Sequence, residues 1–398
     1  MNTETLRPAR RYDLDWMRVI AILIVLVYHV GMIFVPWSFH IKNADTSGPT
    51  ADILATVMIW LHQWRMPLLL FISGAGTYLS LGFRSPKRFV GERYRRLFFP
   101  VLFGMLVIVP PQVYYERIDI YGSFFDFYPS IFELTPYPEG NFSWHHLWFV
   151  VYLLFYSVIS VPLFFYIKRG GGKAFQNLLY KWLSRPYGIL SLVLLIVLTQ
   201  ALLRPYFPDE THALINDWAY FVYYYCFYLL GFFFCADNRL WQLLLKFRKG
   251  HLVTAIGVTA LMYIFYFSSW QRWPFSLETM DILWSINCIL VAWCWVVTCM
   301  GYGQRYLSFN KPILKGANVG IYPFYILHQT VIIALGYYVV QLNWLPGVKF
   351  LVLVALSFVV TVSLYYWGIR PFNWLRFLIR MKPKQAANRP AIKEVQSA

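Results

Sequence analysis

Apolar residues occur in ten runs along this chain, separated by short segments that hold most of the charged side chains. Each run is close to the length of about 20 residues that a helix needs to cross the hydrocarbon core of a bilayer. The pattern predicts membrane-spanning helices at residues 16–36, 52–82, 97–115, 147–167, 187–204, 216–236, 251–270, 281–301, 318–341 and 348–369. The expected fold is an all-α, polytopic membrane protein with about ten spans in the lipid bilayer.

Composition and charge agree with that fold. Hydrophobic residues make up 59% of the chain and charged residues only 13%, whereas soluble domains carry about 25% charged residues. The net charge of +17 does not indicate nucleic-acid binding, because the basic residues form short clusters between apolar runs rather than one patch. If the amino terminus is cytoplasmic, 29 of the 35 Lys and Arg residues lie on that side and six on the other. This asymmetry predicts that both termini are cytoplasmic.

The chain reads as one integral-membrane domain at residues 1–380, followed by a short basic cytoplasmic tail at residues 381–398. All five cysteines fall within the predicted sixth and eighth spans, and no pair of them has the spacing of a zinc or redox site. Core packing is the expected role of the cysteines, and no metal is expected.

Arg18 and His29 are ionisable residues at the two ends of one apolar run. Eleven helical steps place them on one face, about 16 Å apart along the axis. Because charged and polar groups within a span are costly, such a pair indicates a function that faces the protein interior. The alternative is that Arg18 holds the helix at the membrane surface and His29 contacts a neighbouring helix.

A basic cluster, Arg93, Arg95 and Arg96, precedes the third predicted span. Guanidinium groups suit the phosphates of a nucleotide-containing donor, although the positive-inside rule also accounts for basic residues here. Ser73 lies beside Gly74 and Gly76 in the second span, where small residues allow close helix packing or leave room for a slim ligand. Either role fits Ser73, whereas packing is expected for the two glycines.

Two further groups of residues lie beyond the arginine side, one at the opposite side of the predicted membrane and one near its middle. The long segment 116–146 ends with Trp144, His145 and His146, and aromatic faces beside hydrogen-bonding groups suit sugar rings. An interfacial aromatic belt is the alternative. His328 lies near mid-depth of the ninth span and shares a face with polar neighbours, so it could orient a catalytic group or satisfy a helix contact.

Together these residues resemble the integral-membrane acyltransferase-3 family. The matching pieces are Leu14-Asp15-Trp16-Met17-Arg18 with His29, Phe71-Ile72-Ser73-Gly74, the Arg93/Arg96 pair, His146-Leu147-Trp148-Phe149, and the aromatic run before His328. The resemblance covers about residues 10–370. It implies a ten-helix enzyme of the cell inner membrane that moves an acetyl or succinyl group from cytoplasmic acyl-CoA (acetyl-CoA or succinyl-CoA) to a hydroxyl group of a carbohydrate, as members that modify periplasmic glucans do.

The residues fit a mechanism of this kind. Arg18 and the basic cluster would bind the phosphates of the donor, and His29 would accept the proton of the acceptor hydroxyl, since a histidine pKa lies near working pH. A covalent acyl-His29 intermediate is the variant left open. Trp144, His145, His146 and His328 are the residues expected on the acceptor side. The alternative function is a proton-coupled transporter of a small solute or glycan precursor, with His29 and His328 as relay sites.

Overall fold

The computed structural model describes residues 10–82, 84–379 and 381–382. Apart from one isolated bridge between Pro136 and Phe142, this part of the chain contains no strand pairing, which confirms the all-α prediction. The principal helices are α1 Tyr12–Gly31, α2 Gly48–Leu81, α3 Pro86–Glu116, α4 His145–Ile159, α5 Val161–Lys168, α6 Lys173–Leu183, α7 Leu190–Leu203, α8 Trp218–Ala236, α9 Asn238–Phe267, α10 Leu277–Tyr306, α11 Pro312–Val339, α12 Pro346–Ile369 and α13 Asn373–Leu378. The predicted tail, beyond residues 381 and 382, lies outside the described residues.

Eight of the ten predicted spans are described as helices long and apolar enough to cross a membrane. The fourth consists of α4 and α5, which meet at an angle of 55°. Pro162 stands at the start of α5 and cannot donate the hydrogen bond that would continue α4. The fifth, α7, runs only from Leu190 to Leu203, about 21 Å at the usual helical rise. It ends at Leu203, because Pro205 follows Arg204 and has no backbone N–H with which to continue the helix.

Successive spans alternate in direction, so the ends of the bundle differ in composition. One end, here called the arginine end, carries Arg18, Arg93 and Arg96; the other, the loop end, carries the connections 117–144 and 204–217. Helices α1 and α11 run in the same direction and pack against each other. The polar faces predicted on the first and ninth spans therefore meet inside the protein.

Helices α2 and α8 approach each other closely at a pair of glycines. A Cβ atom added to Gly74 would lie 1.9 Å from the carbonyl oxygen of Tyr228, and one added to Gly231 would lie 1.9 Å from that of Phe71. Gly74 therefore has the packing role that the sequence predicted. The same prediction was wrong for Gly76, because a Cβ there would have no neighbour within 4 Å.

Candidate active site

The centre of the candidate site is a pair of histidines where α1 meets α11. His29 Nδ1 lies 3.0 Å from His328 Nε2. The two rings are inclined by only 13° and their centroids are 5.2 Å apart, as expected for two nearly coplanar imidazoles that meet edge to edge. A nitrogen lone pair lies in the plane of its ring, so this arrangement favours a direct N–H···N hydrogen bond. His328 is completely buried, whereas His29 is only partly buried.

The hydrogen bonds of His328 determine which nitrogen of His29 is free. His328 Nδ1 lies 2.5 Å from the carbonyl oxygen of Tyr325, which can only accept, so Nδ1 carries the proton. In a neutral ring Nε2 is then an acceptor, and it receives its hydrogen bond from His29 Nδ1–H. His29 Nε2 is left with an unprotonated lone pair. Such a nitrogen can remove a proton from a hydroxyl group or attack a carbonyl carbon.

A polar network fixes α11 around His328. His146 Nε2 donates to the carbonyl oxygen of Ile326 at 3.0 Å, and Gln112 of α3 donates to Thr330 at 2.7 Å. Gln112 also accepts a hydrogen bond from Gln329 at 3.2 Å. These contacts bind α11 on both sides of His328. These contacts restrict the movement of the His328 ring, which in turn orients His29.

The network continues from α11 to the loop end. Gln329 Nε2 donates to His40 Nε2 at 3.2 Å, and the opposite nitrogen of His40 bonds the carboxylate of Glu116. Tyr137 donates to the other oxygen of that carboxylate at 2.7 Å. Polar groups thus extend from the candidate site to the connection 117–144, without exposing His328 itself.

Arg18 lies on the same face of α1 as His29 and also contacts α11. Its guanidinium donates to Asn318 at 2.5 Å and to Asp15 at 3.0 Å, and 40% of the side chain remains exposed. The backbone of Arg96 lies beside the same face of α11, because its carbonyl oxygen accepts a hydrogen bond from Tyr322, one helical turn beyond Asn318. The Arg96 charge also lies near enough to Arg18 to interact with it. The fold therefore brings Arg18 and Arg96 to one surface at the arginine end.

The remaining members of the basic cluster point elsewhere. Arg93 turns towards α2 and donates to Thr77 at 3.1 Å and to Ser80 at 2.8 Å. Arg95 is exposed and lines a separate groove with Lys87 and Arg88. Arg95 is two positions, about 200°, from Arg93 and therefore lies on another face of the helix, whereas Arg93 and Arg96 differ by only about 60° and are separated by the partners of their side chains.

Ser73 lies in α2 one turn from Thr77, which binds Arg93. Its hydroxyl donates to the carbonyl oxygen of Leu69 at 2.7 Å, and its own carbonyl oxygen accepts from Thr77 at 2.8 Å. Ser73 therefore continues, towards the middle of the bundle, a polar stripe that begins at Arg93. Its side chain remains partly exposed.

The residues predicted on the acceptor side do not form one exposed surface. His146 is buried behind His328, with their ring centroids 5.3 Å apart, and both of its nitrogens contact the protein. His146 is therefore not exposed at the surface and supports α11, while its place on the acceptor side stays a prediction. His145 packs against His40 and Tyr137, and its buried Nε2 has no hydrogen-bond partner.

Trp144 holds the connection 204–217 in place. Its indole nitrogen donates to the carbonyl oxygen of His212 at 2.9 Å. The same connection is fixed at Asp217, which accepts a hydrogen bond from Tyr152 at 2.5 Å. Burial raises the pKa of the Asp217 carboxyl above its ordinary value, although the Tyr152 hydrogen bond opposes this effect. Trp144 thus acts through a loop that the sequence did not link to the site.

Sequence reasoning missed the residues that connect helices: Asn318, Gln112 and Thr330. Each is an uncharged polar residue inside an otherwise apolar run. That signal was present, because such residues need a buried partner in a membrane span. The sequence alone does not identify the partner, which comes from a helix distant along the chain.

The comparisons with known proteins identify the family of the chain. The family described as "Acyltransferase domain" of the acyltransferase-3 type matches residues 11–366. The chain is 23% identical over 398 residues to the glucans biosynthesis protein C of Escherichia coli strain K12 and to that of strain SMS-3-5, covering 94% of this chain and 96% of each relative. No solved structure matches it. The chain belongs to the acyltransferase-3 family and is a multi-pass membrane acyltransferase.

Proposed function

We propose that this enzyme transfers an acyl group, acetyl or succinyl, from cytoplasmic acyl-CoA to a hydroxyl group of a carbohydrate of the cell envelope. The observation that carries the proposal is the coplanar His29–His328 pair, which leaves His29 Nε2 unprotonated on the same helix face as Arg18. A glucan is the proposed acceptor, since the matched relatives are named for glucan biosynthesis.

In this mechanism His29 Nε2 removes the proton of the acceptor hydroxyl as its oxygen attacks the thioester carbonyl carbon. The carbon–sulfur bond breaks, and CoA leaves as a thiolate that takes the proton from His29. His328 stabilises the transient imidazolium through the Nδ1 hydrogen bond and keeps the ring oriented. In the covalent variant the same nitrogen attacks the thioester carbonyl carbon, and the carbon–sulfur bond breaks to release the CoA thiolate. The acceptor oxygen then attacks the acyl carbon, the carbon–nitrogen bond to His29 breaks, and the hydroxyl proton passes to the thiolate.

The donor binds at the arginine end. Arg18 and Arg96 together offer guanidinium groups beside α11, and a phosphate oxygen accepts charge-assisted hydrogen bonds from such groups. Arg93, which donates to Thr77 and Ser80, would contact the donor where its pantetheine arm enters between the helices towards Ser73. Arg95, on the outer face of α3, would meet the donor only from the separate groove that it lines with Lys87 and Arg88.

The proposed orientation places both termini in the cytoplasm and the connection 117–144 outside, in the inner membrane of the cell. The 29-to-6 distribution of basic residues supports it. Reporter fusions at residues 130 and 390 are expected to signal from opposite compartments. Signals from the same compartment would contradict the orientation and the cytoplasmic donor site.

The proposed reaction is tested with the full chain in lipid nanodiscs. Acetyl-CoA or succinyl-CoA with a radiolabelled acyl group is supplied with a short glucose oligosaccharide, and the label is followed into sugar ester. Labelled sugar ester and stoichiometric free CoA are expected. If neither donor loses its acyl group, with or without the sugar, the acyl-CoA proposal is contradicted.

A further inference from the structure

A cavity of about 390 Å³ lies at the loop end, bounded by α1, α2, α8, α10 and the connection 204–217. Its volume falls within the range of about 300–1,000 Å³ that is usual for small-ligand sites. None of the residues assigned above to donor binding or proton transfer lines it. It therefore needs an explanation of its own.

The walls of this cavity combine aromatic faces with polar groups. Trp37, Trp284 and Tyr220 contribute rings, and His62 and Glu210 contribute polar side chains. A pyranose ring has the matching chemistry, because its C–H faces are apolar and its rim carries hydroxyl groups. An acyl chain would leave the polar groups without partners, which is unfavourable in a partly enclosed site.

One cation and one anion, Arg204 and Glu210, line the cavity, so their formal charges balance. Arg204 donates to the neutral hydroxyl groups of Ser285 at 2.9 Å and Tyr220 at 2.8 Å, and its buried Nε has no hydrogen-bond partner. Glu210 accepts from Tyr224 at 2.6 Å and lies 3.1 Å from His212 Nε2. The occupant that fits is therefore neutral, since a net charge on the ligand would disturb this balance.

Glu210 nevertheless retains an acceptor atom for a ligand. Its Oε2 lies 3.7 Å from His62 Nε2, beyond hydrogen-bond distance, and the His62 side chain is 43% exposed. Burial opposes ionisation of Glu210, but His212, His62 and the Tyr224 hydroxyl together hold its pKa well below the ordinary value. A carboxylate that stays ionised is a strong acceptor for sugar hydroxyl groups.

The cavity also lies next to the candidate catalytic histidine. Tyr28 forms part of its wall, and the ring centroid of Tyr28 is 5.7 Å from that of His29. The Tyr28 hydroxyl contacts His62 Nδ1 at 3.1 Å. A ligand held by Glu210 and His62 would thus contact Tyr28, the residue next to His29 in α1, on the side opposite the donor.

We propose that this cavity binds a neutral sugar unit of the acceptor, with Trp37 and Trp284 against its C–H faces and with Glu210 and His62 bonded to its hydroxyl groups. The inference rests on the proposed function and specifies where the acceptor binds. It assigns acceptor recognition to the connection 204–217, which Trp144 holds in place, rather than to residues 144–146 themselves.

The test uses the full chain in nanodiscs, a short glucose oligosaccharide and acetyl-CoA. Glu210→Gln and Trp284→Ala are each expected to raise the KM for the oligosaccharide by about tenfold or more. The rate of acetyl-CoA hydrolysis without sugar should stay unchanged in both. Asp209→Asn and Trp344→Ala are the matched controls, because both residues are exposed at the loop end and neither lines the cavity.

The outcomes separate this inference from the proposed function. If the wild type transfers acetyl groups and Trp284→Ala keeps the wild-type KM for the sugar, the cavity assignment is wrong whatever Glu210→Gln does. Loss of sugar-free hydrolysis in both variants would also overturn it, because the residues would then support the whole fold. If the wild type uses no acyl-CoA at all, the proposed function fails instead.

Discussion

Replacing His328 tests the orientation of the catalytic histidine without removing that histidine. In the His328→Ala variant, His29 Nδ1–H loses its acceptor at 3.0 Å. A buried donor left without a partner costs about 1–3 kcal/mol. Each 1.4 kcal/mol changes an equilibrium constant tenfold, so the ring orientation of His29 that leaves Nε2 free becomes about 5- to 150-fold less populated. The kcat for acyl transfer is expected to fall by that factor, with the KM for acyl-CoA unchanged.

The assay measures labelled acyl transfer in nanodiscs together with the melting temperature of each variant. His328→Gln retains a side chain that can accept from His29 and donate to Tyr325, so it should recover most of the activity. Leu327→Ala is the packing control, because Leu327 is also buried on α11 but has no polar contact to lose. It should lower the melting temperature more than kcat.

Two results would refute this reasoning. One is a wild-type kcat in His328→Ala. The other is an equal loss in the Ala and Gln variants that follows their melting temperatures. Either would make His328 a packing residue and remove the structural basis for the free Nε2 of His29.

Two further predictions concern the donor site and the helix packing. Arg93→Ala and Arg96→Ala should each raise the KM for acyl-CoA, because each lost charge-assisted phosphate contact costs about 1.5–3 kcal/mol. Arg88→Ala should change this KM little, because the exposed Arg88 side chain pairs with a neighbouring glutamate. Equal KM values in all three variants would mean that the basic cluster serves only to orient the protein in the membrane. Gly74→Ala should destabilise the protein by about 3 kcal/mol or more, since its Cβ would overlap a backbone carbonyl. Gly76→Ala should have the melting temperature of the wild type. Similar melting temperatures for the two variants would contradict the close crossing of α2 and α8.

The sequence was sufficient to predict the membrane fold and to place Arg18 and His29 on one face of the first span. Both predictions depend on local rules: the length of apolar runs and the cost of ionisable groups within them. Local rules also suggested that His328 has a polar role, because its neighbours at helical spacing are polar. They could not show that His328 meets His29, since 299 positions separate the two along the chain.

The lack of information on distant contacts also explains where the sequence predictions and the structure differ. His146 could be recognised as unusual, but its burial behind His328 depends on how α3, α4 and α11 pack. The divergence of Arg93 and Arg95 follows from helical geometry once the helix is known to begin at Pro86 rather than near residue 97. The role of the connection 204–217 was not visible, because its acidic residues look like an ordinary exposed loop until the fold closes around Glu210.

Acyl transfer by His29→Gln, measured beside His29→Ala, tests the central claim most directly. Glutamine preserves a hydrogen-bonding side chain at this position but cannot accept a proton at neutral pH or carry an acyl group as imidazole does. Both variants are expected to insert in the membrane and bind acyl-CoA, and both should lose transfer by about 10²–10⁴-fold. Substantial transfer by His29→Gln, with only His29→Ala impaired and less stable, would show that His29 is a packing residue and contradict the account.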